Sequence, residues 1–477
     1  MRSAKPSVAL LLALAAASSV AADTIVLKNG HKIVATNITQ DAEHVTYQTP
    51  AGQLSIPKSI VARIDHDNFA YSSAASADSE PPVSAPTIEP VRGYEDVAHL
   101  AVHDDAVDYG YLTTLDTNAR SGSPAAIAKL AAGHYAAAQF LAAKGDTDSA
   151  INQYHQALVF APDNIGLLLN LAVLYLRESQ FKSALDPLGH AQQVAPNSAD
   201  VEKLMGWAYY GANKTDQAIE AWKRAEQLHA DPEVESALAK ARRDKAEEES
   251  YREGETAHFD LKYYGGANPD LAHAILRTLE DDFQDLQSQL DYTPPDQIAV
   301  ILYTEQAFQD ITRAPGWVGA LNDGRLRIPV QGLTEVTPEL AHVLKHELTH
   351  SFVGQKSHGR APTWLQEGIA QWMEGRRSSA SAAGLVAAAE QGDIPSLGSM
   401  EGSWMGLSGD SAAFAYAWSL AVVESIIDQG GVSDISRLLE HITTAPSTSE
   451  ALQETLRMNY SDLQQQTVTY LKRTYLQ

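Results

Sequence analysis

The stretch His346-Glu347-Leu348-Thr349-His350 decides the fold of the C-terminal half of this chain. Two histidines four residues apart on a helix lie about 40° apart around its axis and about 6 Å apart along it. Both imidazole rings can therefore reach one ion from the same face. The preceding Thr337-Pro338-Glu339 has the order of a helix start, with a capping side chain, a proline and then an acid. We therefore expect a helix that presents both histidines to one site.

A second helix is expected to supply a third ligand. The segment Trp364 to Trp372 carries apolar residues at helical spacing, and Glu367 would lie on its inner face. The loop Val353 to Thr363 contains glycines and a proline, so the chain can turn back between the two helices. Two histidines and a glutamate complete a zinc site whose fourth position is left to water. Glu347 would then reach that water as a general base.

These two segments, with the sequences HELTH and WLQEGIAQW, resemble the gluzincin metallopeptidases, and most closely their peptidase MA-like branch. The resemblance continues at residues 392–397 (GDIPSL) and 415–420 (AYAWSL), and it covers roughly the C-terminal half of the chain. It implies that zinc is bound by the two histidines and Glu367, with Glu347 as the general base.

Three further positions bear on the activity of such a site. Members of this family often carry an acid four residues after the ligand glutamate, where this chain has Gln371. Such an acid orients a ligand histidine and raises its basicity. By the same resemblance, Tyr416 would donate a hydrogen bond to the oxyanion. Tyr416 also fits an apolar stripe of its own helix, so its spacing leaves both interpretations open. His358, in the loop near the site, is a second candidate for the oxyanion role.

The composition and the N-terminus narrow the class of protein. A net charge of −25 over 477 residues argues against nucleic acids and anionic membranes as partners. The chain has no cysteine, so neither a disulfide nor a lipid-modified cysteine is expected. A positively charged start, the apolar run Val8 to Ala17 and the small residues Val20-Ala21-Ala22 are typical of a cleaved export signal. We therefore expect a signal peptide at residues 1–22, no membrane span in the mature chain, and a periplasmic or secreted protein.

A period of 34 residues runs through the middle of the chain. Alanine recurs with this period in two sets, namely Ala150, Ala184 and Ala218, and Ala157, Ala191 and Ala225. A helix-turn-helix unit of this length with small residues at helix crossings resembles the tetratricopeptide repeat (TPR). Such arrays present a concave surface to peptides or proteins, so residues 124–246 are expected to bind the substrate or a protein partner. The alternative is that the repeats only support the neighbouring domain.

Three other segments complete the expected organisation. Residues 23–65 contain short alternating strands separated by turns such as Lys28-Asn29-Gly30-His31, which predicts a small β module. Residues 66–123 are rich in Ala, Ser, Pro and acids, which predicts a linker whose later, tyrosine-bearing part could dock on a neighbouring domain. The charged stretch Lys240 to Arg252 predicts a solvated helix that caps the repeats or connects them to the next domain.

The C-terminal domain, residues 250–477, is expected to begin with a small sheet. Arg325 to Val330 alternates like an edge strand with a proline near its end. By the resemblance to gluzincins, this strand would pair with an extended substrate. The stretch Gly319-Ala320-Leu321-Asn322-Asp323 lacks the glutamate of the G-A-M-E-N motif of zinc aminopeptidases, and Asn322-Asp323-Gly324 predicts a hairpin turn. An endopeptidase is therefore favoured over an exopeptidase.

Together these patterns predict an α+β fold that is mostly α. Its parts are a small N-terminal β module, a TPR α-solenoid and a C-terminal gluzincin-like metallopeptidase domain. The predicted function is that of an exported zinc peptidase that cleaves polypeptides, with the repeats binding substrate or a partner protein. The alternative is a protein-binding scaffold of TPR repeats whose zinc domain is structural or inactive.

Overall fold

The computed structural model describes residues 21–27, 32–40, 44–49, 52–58, 61–70, 93–267, 269–312, 320–330, 332–402, 404 and 409–476. The predicted signal peptide, residues 1–22, lies outside the described residues except for its last two positions. The predicted turn at residues 28–31 and residues 71–92 of the predicted linker lie outside them as well.

The N-terminal segment forms a five-stranded antiparallel sheet. Its strands are β1 (Ala21–Leu27), β2 (Lys32–Gln40), β3 (His44–Thr49), β4 (Gly52–Pro57) and β5 (Val61–Ala70). The strand order is β4-β3-β2-β1-β5, so the first four strands pair in sequence order and β5 pairs with β1. Such a meander needs short turns between its strands, as the alternating pattern and turn residues predict.

The second part of the predicted linker is structured. It contains helices α1 (Glu95–Ala101) and α2 (Tyr109–Ala119), joined through the two-residue strands β6 (Val102–His103) and β7 (Ala106–Val107). Val97, Leu112 and Leu115 are buried in a cluster with the helix that follows. The prediction of a linker at residues 66–123 is therefore wrong for this part, which is helical, whereas its packing against the first helix of the repeats agrees with the expectation that it docks on a neighbouring domain.

Residues 124–248 form helical hairpins that repeat. The helices are α3 (Pro124–Ala143), α4 (Thr147–Phe160), α5 (Ile165–Arg177), α6 (Phe181–Val194), α7 (Ala199–Gly211), α8 (Thr215–Leu228) and α9 (Pro232–Glu248). Helices α4, α6 and α8 begin at residues 147, 181 and 215, which are 34 residues apart. Gly206 packs so tightly against Trp222 that no Cβ would fit there. The small residues of the repeat thus lie where helices cross, as in TPR-like repeats.

A second sheet begins the C-terminal half. Its strands are β8 (Arg252–Glu255), β9 (Phe259–Tyr263), β10 (Ile298–Tyr303), β11 (Leu321–Asn322) and β12 (Arg325–Pro329), in the order β11-β12-β10-β9-β8. Strands β9, β10 and β12 are parallel, whereas β8 and β11 are antiparallel to their neighbours. Helices α10 (Pro269–Leu290) and α11 (Glu305–Thr312) lie between the strands in sequence.

The prediction that Arg325 to Val330 is an edge strand is wrong. Strand β11 turns back over β12 and pairs Leu321 with Arg327, so β12 lies between β10 and β11. All five residues of β12 are buried. The predicted hairpin turn is present and Gly324 has a φ of +90°, which suits glycine. The short β11, next to the turn, is therefore the strand at this edge of the sheet.

After β12, the described residues of the C-terminal half are mainly α-helical. The helices are α12 (Pro338–Lys356), α13 (Thr363–Met373), α14 (Ala382–Gln391), α15 (Gly409–Gly430), α16 (Val432–Thr444), α17 (Thr448–Leu456) and α18 (Tyr460–Tyr475). They share one apolar core with β9, β10 and β12. Among the described residues, no helix has both the length and the apolar character needed to cross a membrane. The predicted fold class, mostly helical with small sheets, is confirmed.

Candidate metal centre

Helix α12 places both histidines of the opening stretch in the interior. The hydroxyl of Thr337 caps the helix by accepting a hydrogen bond from the N–H of Leu340, and Pro338 is its first residue. His346 and His350 lie one turn apart, are nearly inaccessible to solvent, and have ring centroids 4.8 Å apart. The expected helix start and the expected common face of the two histidines are therefore both present.

Helix α13 brings Glu367 to these rings. One carboxylate oxygen of Glu367 lies 3.5 Å from Nε2 of His346, and the other lies 3.4 Å from Nε2 of His350. Ligand atoms from these three residues all lie within 4.8 Å of one another. Gly359, with a φ of +70°, helps the chain to reverse between the two helices. The structure thus brings together the three residues that the sequence predicts as metal ligands.

The three side chains fit a zinc ion. Within the described part of the chain, neither oxygen of Glu367 and neither ring nitrogen of His350 has a hydrogen-bond partner, although all four atoms are buried. Buried polar atoms are normally paired, so unsatisfied atoms that converge on one point indicate a ligand. Two imidazole nitrogens and one carboxylate match the His₂Glu set of catalytic zinc sites, which leaves a coordination position open.

Glu347 lies in the same buried space. It is fully buried, and among the described residues neither of its carboxylate oxygens has a hydrogen-bond partner. Burial raises the pKa of Glu347 to about 8, and the nearby carboxylates of Glu367 and Glu374 add to that rise, while His346 opposes it. Without a metal ion, this carboxyl group therefore holds a proton more tightly than an exposed glutamate.

The two histidines differ in their electrostatic surroundings. Burial disfavours a charged His346, but the charges of Glu374 and Glu367 outweigh it and raise the pKa of His346 to about 10. Burial and the charge of His346 lower the pKa of His350 well below its usual value. Three acids thus lie around two imidazoles in a space that is nearly inaccessible to water. A divalent cation bound there would favour the deprotonated carboxylates and the neutral imidazoles.

The acid beside Nδ1 of His346 is Glu374. Its carboxylate lies 3.3 Å from Nδ1 of His346, and Arg376 contacts the other oxygen at 2.6 Å. Gln371 has a different role, because its amide donates hydrogen bonds to the backbone carbonyls of Glu367 and Tyr416. The amide therefore joins α13 to α15.

Tyr416 lies on α15, beside the helix that carries Glu367. It is buried, and its ring packs edge-on against Trp404 at a centroid distance of 5.2 Å. These contacts fit the core interpretation of Tyr416, and the oxyanion interpretation stays a prediction. The other candidate, His358, pairs with Glu178 of the repeats through a contact of 2.9 Å. His358 therefore joins two parts of the molecule.

One segment of the chain matches a known protein family. Residues 287–473 match the Peptidase MA superfamily. This Peptidase MA segment begins in α10 and contains α12, α13 and α15, which carry every residue of the candidate metal centre.

Other similarities cover smaller parts. The Protein CTR9 homolog of Arabidopsis thaliana is 33% identical over 102 residues, which are 21% of this chain and 9% of that protein. The chain thus spans less than a tenth of this curated relative. The structure of MamA 41-end from Desulfovibrio magneticus RS-1 is 23% identical, covers 31% of this chain and 88% of its own, and has a TM-score of 0.24. The MamA RS-1 ArsTM double mutant is also 23% identical with a TM-score of 0.24, over 30% of this chain and 87% of its own.

Sequence reasoning missed Glu374, although a signal for it exists. Glu374 follows Glu367 by seven residues, and a helix returns almost to the same face after two turns. A search for an acid four residues after the ligand finds Gln371 instead. In this chain, the acid that contacts His346 lies about one turn further along than Gln371.

Proposed function

We propose that this chain is an exported, zinc-dependent endopeptidase that hydrolyses polypeptides. The observation that carries the proposal is the convergence of His346, His350 and Glu367, with the buried and unpartnered carboxylate of Glu347 in the same space. The match of residues 287–473 to the Peptidase MA superfamily supports the same reaction class.

In this proposal the two histidines would bind zinc through Nε2, and Glu367 would bind it through its carboxylate. Zinc in a site of this kind polarises a carbonyl group and lowers the pKa of a water molecule to about 7. The carboxylate of Glu374 lies 3.3 Å from Nδ1 of His346 and would favour the tautomer with its proton on Nδ1, which leaves the Nε2 lone pair directed at the site.

Glu347 moves the proton. Its carboxylate accepts the proton of the attacking water and later delivers it to the nitrogen of the leaving amine. Neither oxygen of Glu347 has a hydrogen-bond partner among the described residues, so both would be available for this transfer. Tyr416, if its hydroxyl reaches the site in the complex with substrate, donates a hydrogen bond to the oxyanion. These roles together describe peptide hydrolysis by a single water molecule.

The TPR-like repeats would bind the polypeptide substrate or a protein partner. The N-terminal export signal, with cleavage before Asp23, would deliver the protein to the periplasm or the medium. Mass spectrometry of the protein from fractionated cells tests the export proposal, since a chain that begins at Asp23 in the extracytoplasmic fraction is expected. An intact Met1 in the cytoplasmic fraction would contradict it.

Zinc content tests the metal centre directly. We expect one zinc per chain in the protein from Asp23 to Gln477 and much less in the Glu367→Ala variant. Glu335→Ala is the matched control, because Glu335 is an exposed glutamate in the loop before α12. No zinc in the parent after reconstitution, or equal zinc in both variants, would overturn the assignment of the ligands.

Cleavage of casein separates the enzyme from the alternative of a scaffold. We expect the zinc-loaded protein to cut casein, a zinc chelator to stop the reaction, and added zinc to restore it. Circular dichroism checks that the chelated protein stays folded. A protein that holds zinc, stays folded and cuts no flexible substrate would favour a scaffold whose zinc domain is structural.

A further inference from the structure

The repeats contact the C-terminal half through the same turn of successive units. These turns contain Gly145, Ser179 and Asn213, which are 34 residues apart and all have positive φ. The contacts join Gly145 to the carbonyl of Thr443, Glu178 to His358 at 2.9 Å, and Asn213 to Asp260 at 2.8 Å. The edge of the repeats that contains these turns is therefore in contact with the C-terminal half of the same chain.

Helix α9, the last helix of the repeat segment, has a buried acidic face. The sequence predicts a solvated helix here, and this prediction is wrong for Asp244, which has no exposed surface. Its carboxylate accepts two hydrogen bonds from the guanidinium of Arg327 on β12, at 3.3 Å and 3.1 Å. The hydroxyl of Tyr210 on α7 donates a third, at 2.5 Å. Charge-assisted, bidentate pairs of this kind fix geometry as well as energy.

Arg327 also binds the turn of the β11–β12 hairpin, which lies next to helix α12. Its Nε donates to both oxygens of Asp323, at 2.9 Å and 3.1 Å, so one guanidinium binds the acid of α9 and the acid of the β11–β12 turn. Lys240 on α9 holds Asp323 as well, at 2.9 Å. The turn is thus attached to α9 by two cations.

The residue before this turn reaches the metal-binding helix. The side-chain amide of Asn322 donates to the backbone carbonyl of Glu347 and to the hydroxyl of Ser351, both at 2.7 Å. Its oxygen accepts from the N–H of Gly324 at 3.1 Å, which fixes the orientation of the amide. The backbone of the general base is therefore bound by a side chain whose position depends on the turn.

We propose that Asp244, Arg327, Asp323 and Asn322 form a positioning relay through which the helical repeats hold Glu347 in place. The proposal rests on the proposed function, because Glu347 is the general base only if the protein is a peptidase. None of the four residues is a catalytic residue; each acts through the backbone of α12. Through this relay the repeats would affect the rate of hydrolysis, in addition to any binding of substrate or a partner protein.

Two substitutions interrupt the relay at its ends. Asp244→Asn weakens the pairing of Arg327, and Asn322→Asp keeps the size of the side chain and its acceptor but removes the donor to Glu347. Glu178→Gln is the matched control, because it removes another ion pair between the repeats and the C-terminal half outside the relay. All variants are made in the chain from Asp23 to Gln477, and zinc content and thermal unfolding show that each is loaded and folded.

Amide hydrogen exchange is the first measurement, since it does not depend on a substrate. We expect both relay variants to lose protection in peptides from residues 320–330 and 343–353, whereas Glu178→Gln keeps the protection of the parent. A double variant combines Asp244→Asn with Asn322→Asp. At residues 343–353 it should lose no more protection than Asn322→Asp alone, because the relay is already broken at Asn322. Equal protection of residues 343–353 in parent and relay variants would overturn the relay.

Kinetics with a fluorogenic casein substrate is the second measurement. We expect the relay variants to lower kcat by about 10- to 100-fold while KM changes little, since a misplaced general base slows chemistry more than binding. A change in KM alone would contradict the relay. If the parent cuts no substrate, the proposed function fails, and hydrogen exchange still decides whether the relay positions α12. If Asp244→Asn does not fold, Asn322→Asp and Asn322→Ala provide the same test from the other end.

Discussion

The carboxylate of Glu374 lies 3.3 Å from Nδ1 of His346, whereas Glu367 lies 3.5 Å from Nε2 of the same ring. The two acids therefore contact the two ring nitrogens of one imidazole from opposite sides. A histidine that binds a metal through Nε2 carries its proton on Nδ1, and an acid beside Nδ1 stabilises that tautomer.

Replacement of Glu374 by glutamine should weaken the binding of zinc by about 10- to 100-fold, the usual effect of losing such an acid. A competition titration with a chromophoric chelator measures the affinity. The exposed Glu335→Gln variant serves as the control and should match the parent. Unchanged affinity in Glu374→Gln would show that the acid near Nδ1 does not support the ligand.

Glu347→Gln should keep one zinc per chain and lose turnover. Its amide has the size of the carboxylate but cannot accept the proton of water, and loss of a general base typically lowers the rate by about 10²- to 10⁴-fold. The measurements are zinc content and the rate of casein cleavage. Full activity in this variant would remove Glu347 from the reaction.

The local part of the site could be predicted from the sequence. The spacing of His346 and His350 is a property of one helix, and the cap at Thr337 lies within a few residues of them. Glu367 could be placed because its helix follows after a short turn. The 34-residue period also predicts the repeats, because each helix pair depends on its own residues and nearest neighbours.

The contacts between distant segments could not be predicted in the same way. Asp244 and Arg327 are separated by 83 positions, and nothing local to either residue indicates its partner. Charged residues are usually exposed, so a charged helix such as α9 is ordinarily interpreted as solvated. The edge position of β12 was wrong for a local reason, since the alternation of β12 was interpreted without the predicted hairpin turn at Asn322-Asp323-Gly324, which pairs β12 with β11.

Acid should weaken the attachment of the repeats to the C-terminal half. Burial alone would raise the pKa of Asp244 and of Asp323, but Arg327 and other nearby cations outweigh it and hold both pKa values below the usual range. A carboxyl group with a lowered pKa in the folded state stabilises the fold above its unfolded pKa of about 3.9, and this contribution is lost as the pH falls through the folded value.

The unfolding temperature of the parent should therefore fall steeply below about pH 4. The Asp323→Asn variant should be less stable at pH 7 and should lose less stability between pH 5 and pH 3, because it lacks one of the titrating groups. Differential scanning calorimetry over this range makes the comparison. The control is Asp216→Asn, at an exposed aspartate, which should follow the parent. If the unfolding temperatures of the parent and Asp323→Asn fall in parallel between pH 5 and pH 3, the pKa of Asp323 is not lowered in the folded protein.

A methyl group at Gly368 should separate the helix that carries Glu367 from the helix behind it. A Cβ at this position would lie 2.5 Å from the carbonyl oxygen of Ser419 and 2.5 Å from a methyl carbon of Val423. The first of these atoms belongs to the backbone of α15, so the contact can be relieved only if α13 moves. Overpacking of this kind costs about 1–3 kcal/mol.

Gly368→Ala should therefore lower the unfolding temperature and reduce the affinity for zinc, because Glu367 moves with α13 away from His346 and His350. Gly384→Ala is the matched control: Gly384 is helical and exposed and has no atom within 4 Å of a Cβ, so alanine there should stabilise the protein by about 0.5–1 kcal/mol. Thermal unfolding and zinc competition are measured for both variants. If Gly368→Ala binds zinc as tightly as Gly384→Ala, the close packing of α13 on α15 does not set the position of Glu367.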